Sequence, residues 1–127
     1  MIELTLPYPP SVNHYWRCNR GRFHISTEGL IFRDRVWAEF QAAKGRGSLP
    51  GALQIAIDAY PPDKRRRDLD NLLKATLDAL QHAGCYEDDN QLWSILIRRF
   101  PMVEGGKVLV RISELPGLVA LQKVGEP

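Results

Sequence analysis

Prolines set the first limits on how this chain can fold. Pro7, Pro9 and Pro10 follow the alternating residues 1–6, and Pro61-Pro62 follow the apolar stretch 53–60. Proline cannot donate to a sheet ladder, so each stretch must end as a short strand. Gly45, Gly47, Pro50 and Gly51 break the chain between them. Before that break, Ser26 or Thr27 can cap a helix reaching about residue 44, in which Leu30, Ile31, Phe32, Val36, Trp37 and Phe40 recur at helical spacing. After Pro62, a second helix is expected from about Asp68 to Gly84, with Gly84 as its left-handed C-terminal residue.

Residues 91–100 read as a strand, and 107–114 as a strand pairing with it across a turn containing Gly105-Gly106. Residues 11–25 read as a long loop. The order β-α-β-α-β-β predicts one α/β (α+β) domain over residues 1–115, a mixed sheet of about four strands packed by two helices. Residues 116–127, with two glycines and two prolines, are left as a tail of unknown order.

Composition narrows the class. A chain of 127 residues supports one domain with a modest core, and 44% hydrophobic with 25% charged residues excludes wholesale disorder. No uncharged apolar run is long enough to cross a bilayer. Glu3 interrupts the opening apolar stretch, which argues against a secretory signal. Cys18 and Cys85 are too few for a disulfide framework, so a reduced, cytoplasmic setting is expected. His24 and His82 form no metal spacing with either cysteine, which argues against zinc.

Charge is unevenly distributed. Residues 1–67 carry 11 Lys or Arg against 6 Asp or Glu, whereas residues 68–127 carry 6 against 9. The first half can face a polyanion while the second keeps carboxylates for another purpose. The two meet in Asp63-Lys64-Arg65-Arg66-Arg67-Asp68-Leu69-Asp70-Asn71. On a helix over residues 69–80, Leu69, Leu72, Leu73, Thr76 and Leu80 form one stripe with Leu77 at its edge. Asp70, Asn71, Lys74, Asp78 and Gln81 then occupy the open face, with Asp70 and Lys74 one turn apart. Taken singly these residues have ordinary explanations: Asp68 as an N-cap, Asp70 at the positive end of the helix, Asp70–Lys74 as a surface ion pair.

Together they suggest chemistry. Glu87-Asp88-Asp89 forms a second acidic cluster after the helix, and about 14 helical residues span roughly 21 Å, so only a return of the chain can bring it to the first. The strand from residue 91 supplies that return if it lies beside the helix N-terminus or reaches a partner subunit. Clustered carboxylates repel unless protonated or bound to cations, and oxygen ligands without His or Cys suit Mg²⁺ or Mn²⁺. Arginines beside such a metal are what phosphodiester cleavage requires.

The sequence resembles the RusA family of Holliday-junction resolvases. The resemblance spans about residues 4–114 and rests on Pro7-Tyr8-Pro9-Pro10-Ser11, Asn19-Arg20-Gly21-Arg22 with Ser26 and Glu28-Gly29, and Arg65-Arg66-Arg67-Asp68-Leu69-Asp70-Asn71-Leu72 with Lys74. It continues through Asp78-Ala79-Leu80, Ala83-Gly84 and Asp88-Asp89. It implies three catalytic, metal-ligating aspartates at Asp68, Asp70 and Asp89, an essential lysine at Lys74, Mg²⁺ dependence and a homodimer. Its implied activity is paired symmetric nicking of four-way DNA. Val12, Lys64 and the segment after Leu115 depart from the family pattern.

In these terms Asp70 and Asp89 ligate Mg²⁺, with Asp68 as third carboxylate or base. Lys74 neutralises the scissile phosphate or leaving oxygen, and Arg65, Arg66 and Arg67 clamp neighbouring phosphates. His14, Tyr15, Trp16, Arg17, Arg20, Arg22 and Phe23 interleave cations with aromatics, with no acid between Ser11 and Thr27. Arg17, Arg20 and Arg22 are expected to contact DNA, whereas Trp16, Phe23, Trp37 and Trp93 are expected in the core. The alternating strand 92–97 is a candidate dimer interface. Two competing readings use the same residues: a catalytically inactive junction- or RNA-binding module, and a hydrolase of small phosphoesters, for which the arginine set is excessive.

Overall fold

The computed structural model describes residues 1–43 and 47–115. Four strands form the main sheet in the order β1 (Ile2–Leu6), β6 (Lys107–Glu114), β4 (Leu53–Tyr60), β5 (Leu92–Arg99). The helices α2 (Thr27–Ala42) and α3 (Asp70–Ala83) bury Phe32, Val36, Phe40, Leu72, Ala79 and Leu80 in one core with Leu4, Leu6, Ile55, Ile57, Val110 and Ile112 of the sheet. This is the mixed α+β domain expected from the order of elements. The tail 116–127 lies outside the described residues, as does residue 44, the expected helix end; α2 closes at Ala42.

Local chemistry explains the helix ends. Ser26 Oγ accepts from Gly29 N–H at 3.0 Å, the N-cap bond expected of it. Gly84 adopts φ 95° at the end of α3, where a Cβ would be strained. In α3 the leucine stripe is widened by Ala75, Ala79 and Ala83, which are also buried.

The strand pairing departs from expectation. β5 and β6 do not form a hairpin: β5 pairs parallel with β4, and β6 pairs antiparallel with both β4 and β1. The segment β4-α3-β5 is a βαβ unit, whose helical crossover requires parallel strands. Residues 100–106 then carry the chain past β4 to the slot between β4 and β1, with Gly105 and Gly106 at φ 78° and 69°. Asp58, 5% exposed, holds the three strands together: it accepts from Arg98 of β5 at 3.1 and 3.3 Å and from Arg111 of β6 at 3.4 Å.

Residues 11–25 are ordered as well. The single-turn helix α1 (Val12–Tyr15) leads into a two-stranded hairpin, β2 (Trp16–Asn19) and β3 (Arg22–Ile25). Its turn residues Arg20 and Gly21 both have positive φ, 52° and 76°, the geometry that matches strand twist in two-residue hairpins. Gly29 seats this unit: a Cβ there would lie 2.7 Å from both the Tyr15 carbonyl oxygen and Ile25 Cγ2.

Candidate active site

The segment from Pro61 to Leu69 joins the end of β4 to the start of α3, and its cations are arranged by one acid. Asp63 accepts from the Arg65 backbone N–H at 2.9 Å and from Arg65 Nε at 3.3 Å, and it pairs with both Nη atoms of Arg67. The Arg67 guanidinium beside it holds the Asp63 carboxyl well below the usual carboxylate range. Arg67 also lies over the Tyr8 ring, 5.7 Å from its centroid, which fixes this guanidinium from two sides. Arg65 and Arg66 remain exposed.

These residues wall a cleft of about 490 Å³. Arg65, Arg66, Arg67, Asp68 and Asn71 form one side, and Tyr8, Ser11 and His14 of the segment between β1 and β2 form the other. The N-terminus of α3 opens beside it, adding its positive end to three guanidinium groups. Asp68 is exposed here and does not cap α3, whose N-cap position is Leu69 without a side-chain bond. Its carboxylate is therefore free of the capping role that would otherwise explain it. Asp70 opens the first turn, also exposed. No ion pair joins it to Lys74 among the described residues, so the simple surface-pair explanation fails for these two.

Asp89 approaches the same helix further along. Asp88 caps the short 3₁₀ turn Asp89–Gln91 and forms a capping box with Gln91, which fixes Asp89 at its first position. Partial desolvation of the carboxyl, reinforced by Asp78 and Asp88, raises the Asp89 pKa, with Tyr86 and Lys74 opposing. Asp89 is thus within electrostatic reach of Lys74 and Asp78 of α3. Full convergence of the three aspartates is not achieved within one chain. Among the described residues, no three His, Cys, Asp or Glu side chains are close enough to hold a metal ion. The topology explains this: Leu92 pairs with Leu53 at the start of β4, whereas Asp68 and Asp70 follow its end.

The donor chemistry nevertheless suits Mg²⁺. This ion is commonly held by one or two carboxylates and completes its shell with water and substrate phosphate oxygens. Asp68 and Asp70, exposed and two residues apart beside an arginine-lined cleft, provide such an open mount.

Sequence reasoning missed a network behind this face. Asp78 accepts from Arg33 Nε and Nη2 at 3.0 and 2.8 Å and from the Tyr15 hydroxyl, joining α1, α2 and α3. Burial and the bond to Asp78 raise the Tyr15 pKa, keeping the phenol protonated. The signal available was weak, because Asp78 looked like one more residue of a solvated face. Cys85 is buried, and burial pushes its thiol up to about 12. Trp37 and Trp93, expected in the core, are 50% and 57% exposed. Phe23 is also exposed, while Trp16 is half-buried against Tyr15. Arg17, Arg20 and Arg22 are exposed along the hairpin.

Residues 7–113 match the family model of endodeoxyribonuclease RusA. The chain is 45% identical over 113 residues to the crossover junction endodeoxyribonuclease RusA of Shigella sonnei strain Ss046, covering 89% of this chain and 94% of that one. It is 44% identical, with the same coverage, to the proteins of that name from Enterobacteria phage 82 and Escherichia coli strain K12.

Proposed function

The chain belongs to the endodeoxyribonuclease RusA family, and from that premise we propose that it resolves four-way DNA junctions by paired nicks, using the cleft at the start of α3. The observation that carries the assignment is the placement of Asp68 in one cleft with Arg65, Arg66 and Arg67, with Asp70 beside it on the first turn of α3. Three guanidiniums are more than a small phosphoester needs, and they suit a run of phosphates along a strand.

The roles follow from position. Arg67, held by Asp63 and Tyr8, offers a preset contact for one phosphate, and the freer Arg65 and Arg66 take its neighbours. Asp68 and Asp70 would hold Mg²⁺ as an open two-carboxylate mount, and Asp89, which does not join them within one chain, stands further along α3. Bound there, Mg²⁺ supplies charge neutralisation at the scissile phosphate and a water of lowered pKa. Lys74, exposed one turn after Asp70 on α3, stabilises negative charge on the phosphate or the departing 3′ oxygen.

Two coordinated cuts require two such clefts, which a two-fold dimer provides. β5 is the edge strand that suits the interface. It is hydrogen-bonded on one side to β4, and it exposes Trp93, Ile95 and Leu96 at 57%, 44% and 52%. An apolar edge of this length invites pairing with another strand, and a second copy supplies one of matching character. No helix among the described residues is long and apolar enough to cross a membrane. A cytoplasmic setting agrees with the free thiols Cys18 and Cys85.

The deciding experiment incubates a synthetic four-way junction with the protein in Mg²⁺ or in EDTA. Symmetric nicks only with Mg²⁺ support the proposal. A junction that is bound but uncut with Mg²⁺ would replace it with a binding role.

A further inference from the structure

The β2–β3 hairpin has two chemically different faces. Cross-strand pairing places Arg17 opposite His24 and Asn19 opposite Arg22, and it places Trp16 opposite Ile25 and Cys18 opposite Phe23. Residues directly opposite in an antiparallel pair share a face. One face is therefore basic and polar, and the other is an apolar row of Trp16, Ile25, Cys18 and Phe23. At the base this row is tied to the domain, since Trp16 packs edge-on against Tyr15 at 5.3 Å and Ile25 closes against Gly29. Towards the tip it finds no cover: Phe23 is 77% exposed. Between base and tip lies a cleft of about 420 Å³ lined by Val12, Asn13, Trp16, Arg17, Cys18 and Phe23. Trp16 lines that cleft, and its Nε1–H is buried without an acceptor among the described residues.

We propose that this face is a stacking platform for a base exposed at the branch point of the junction, with Phe23 as the stacking side chain. The inference rests on the junction reading of the preceding subsection. An aromatic ring kept in water, on a hairpin that carries Arg17 and Arg22 on its other face and Arg20 at its turn and has no acid, is the combination that binds unstacked nucleotides. A duplex offers few accessible base faces, whereas a branch point offers bases with interrupted stacking, so the contact discriminates shape rather than sequence. Charge selects DNA as the occupant, because the hairpin carries Arg17, Arg20 and Arg22 with no acid, and a polyanion draws such a surface to itself.

The test compares the full-length protein with Phe23→Ala, Phe23→Tyr and Arg22→Ala in EDTA, which separates binding from cutting. The probes are a four-way junction carrying 2-aminopurine at the branch point and a linear duplex of the same arm sequence. Phe23→Ala should lower junction affinity about tenfold and lose the emission change, with duplex affinity altered less than twofold. Phe23→Tyr should keep both, and Arg22→Ala should weaken both probes with a shallower salt dependence. Unchanged junction binding by Phe23→Ala, equal loss on both probes, or a shift of that variant alone to monomer in sedimentation would each overturn the platform. If the unaltered protein does not prefer junction to duplex, the junction reading itself fails, which is a separate outcome.

Discussion

Arg33 grips Asp78 through both Nε and Nη2, at 3.0 and 2.8 Å, and so ties α2 to the middle of the helix that begins with Asp70. Tyr15 donates its hydroxyl to the same carboxylate, adding the N-terminal unit to the joint. Removing one member takes a partner from a carboxylate that is already partly desolvated, which costs more than the pair itself is worth. Arg33→Ala should therefore destabilise the protein by about 2 kcal/mol, measured by urea denaturation. Tyr15→Phe should cost about 1 kcal/mol, and the double variant less than the two losses added, because both act through Asp78.

Gly29 is a second point at which the hairpin is seated. A methyl group there meets Ile25 Cγ2 and the Tyr15 carbonyl at 2.7 Å each, and the carbonyl already accepts from Ser26 N–H at 2.9 Å. Backbone cannot yield as a side-chain tip can, so Gly29→Ala should cost about 1–3 kcal/mol despite improving helix propensity. Thermal denaturation showing a stabilised variant would contradict this seating.

Much of this architecture is legible in the sequence. The proline stops of β1 and β4, the Ser26 cap, the leucine stripe of α3 and the Gly84 terminator each act through neighbours close in sequence. Long-range pairing was less accessible. Gly105-Gly106 resembles a hairpin turn, and that local cue obscured the βαβ order of β4, α3 and β5, which dictates parallel pairing. The Arg20-Gly21 turn lay in a stretch too polar and aromatic to show strand alternation. Apolar residues left in water at Phe23, Trp37 and Trp93 could not be told from core residues, because hydrophobic spacing reports apolar character and not what covers it.

Within the site, the arginine run and the Asp68–Asp70 pair were legible because they are adjacent in sequence. The electrostatic reach of Asp89 to Lys74 and Asp78 depends on how the chain returns after α3, which spacing alone does not set.

The raised pKa of Asp89 has a direct consequence for stability. Its ionised form is disfavoured by folding, so the penalty is present above the raised folded value and vanishes below its ordinary value of 3.8. Asp89→Asn removes that charge. The variant should be more stable than the unaltered protein near neutral pH, by about 0.5 kcal/mol or less at this exposed position, and the gain should disappear near pH 3. Denaturation curves at the two pH values check the sign. A variant less stable at neutral pH would mean that Asp89 is held by a favourable contact instead.

The exposed apolar edge of β5 predicts an assembly. The unaltered protein should sediment as a dimer at micromolar concentration, and Leu96→Lys, which places a charge on the edge without touching the core, should shift it to monomer. A variant that remains dimeric would move the interface elsewhere.

The most direct test of the assignment is Asp70→Asn on a four-way junction with Mg²⁺, scoring nicking and binding on the same samples. The substitution keeps the shape of the side chain and removes the charge that holds the metal beside the arginine cleft. Nicking should fall by three orders of magnitude or more, with junction affinity retained or raised as repulsion from the phosphates is relieved. Nicking at a normal rate by a folded Asp70→Asn protein would show that the chemistry is not carried by the carboxylates at the start of α3.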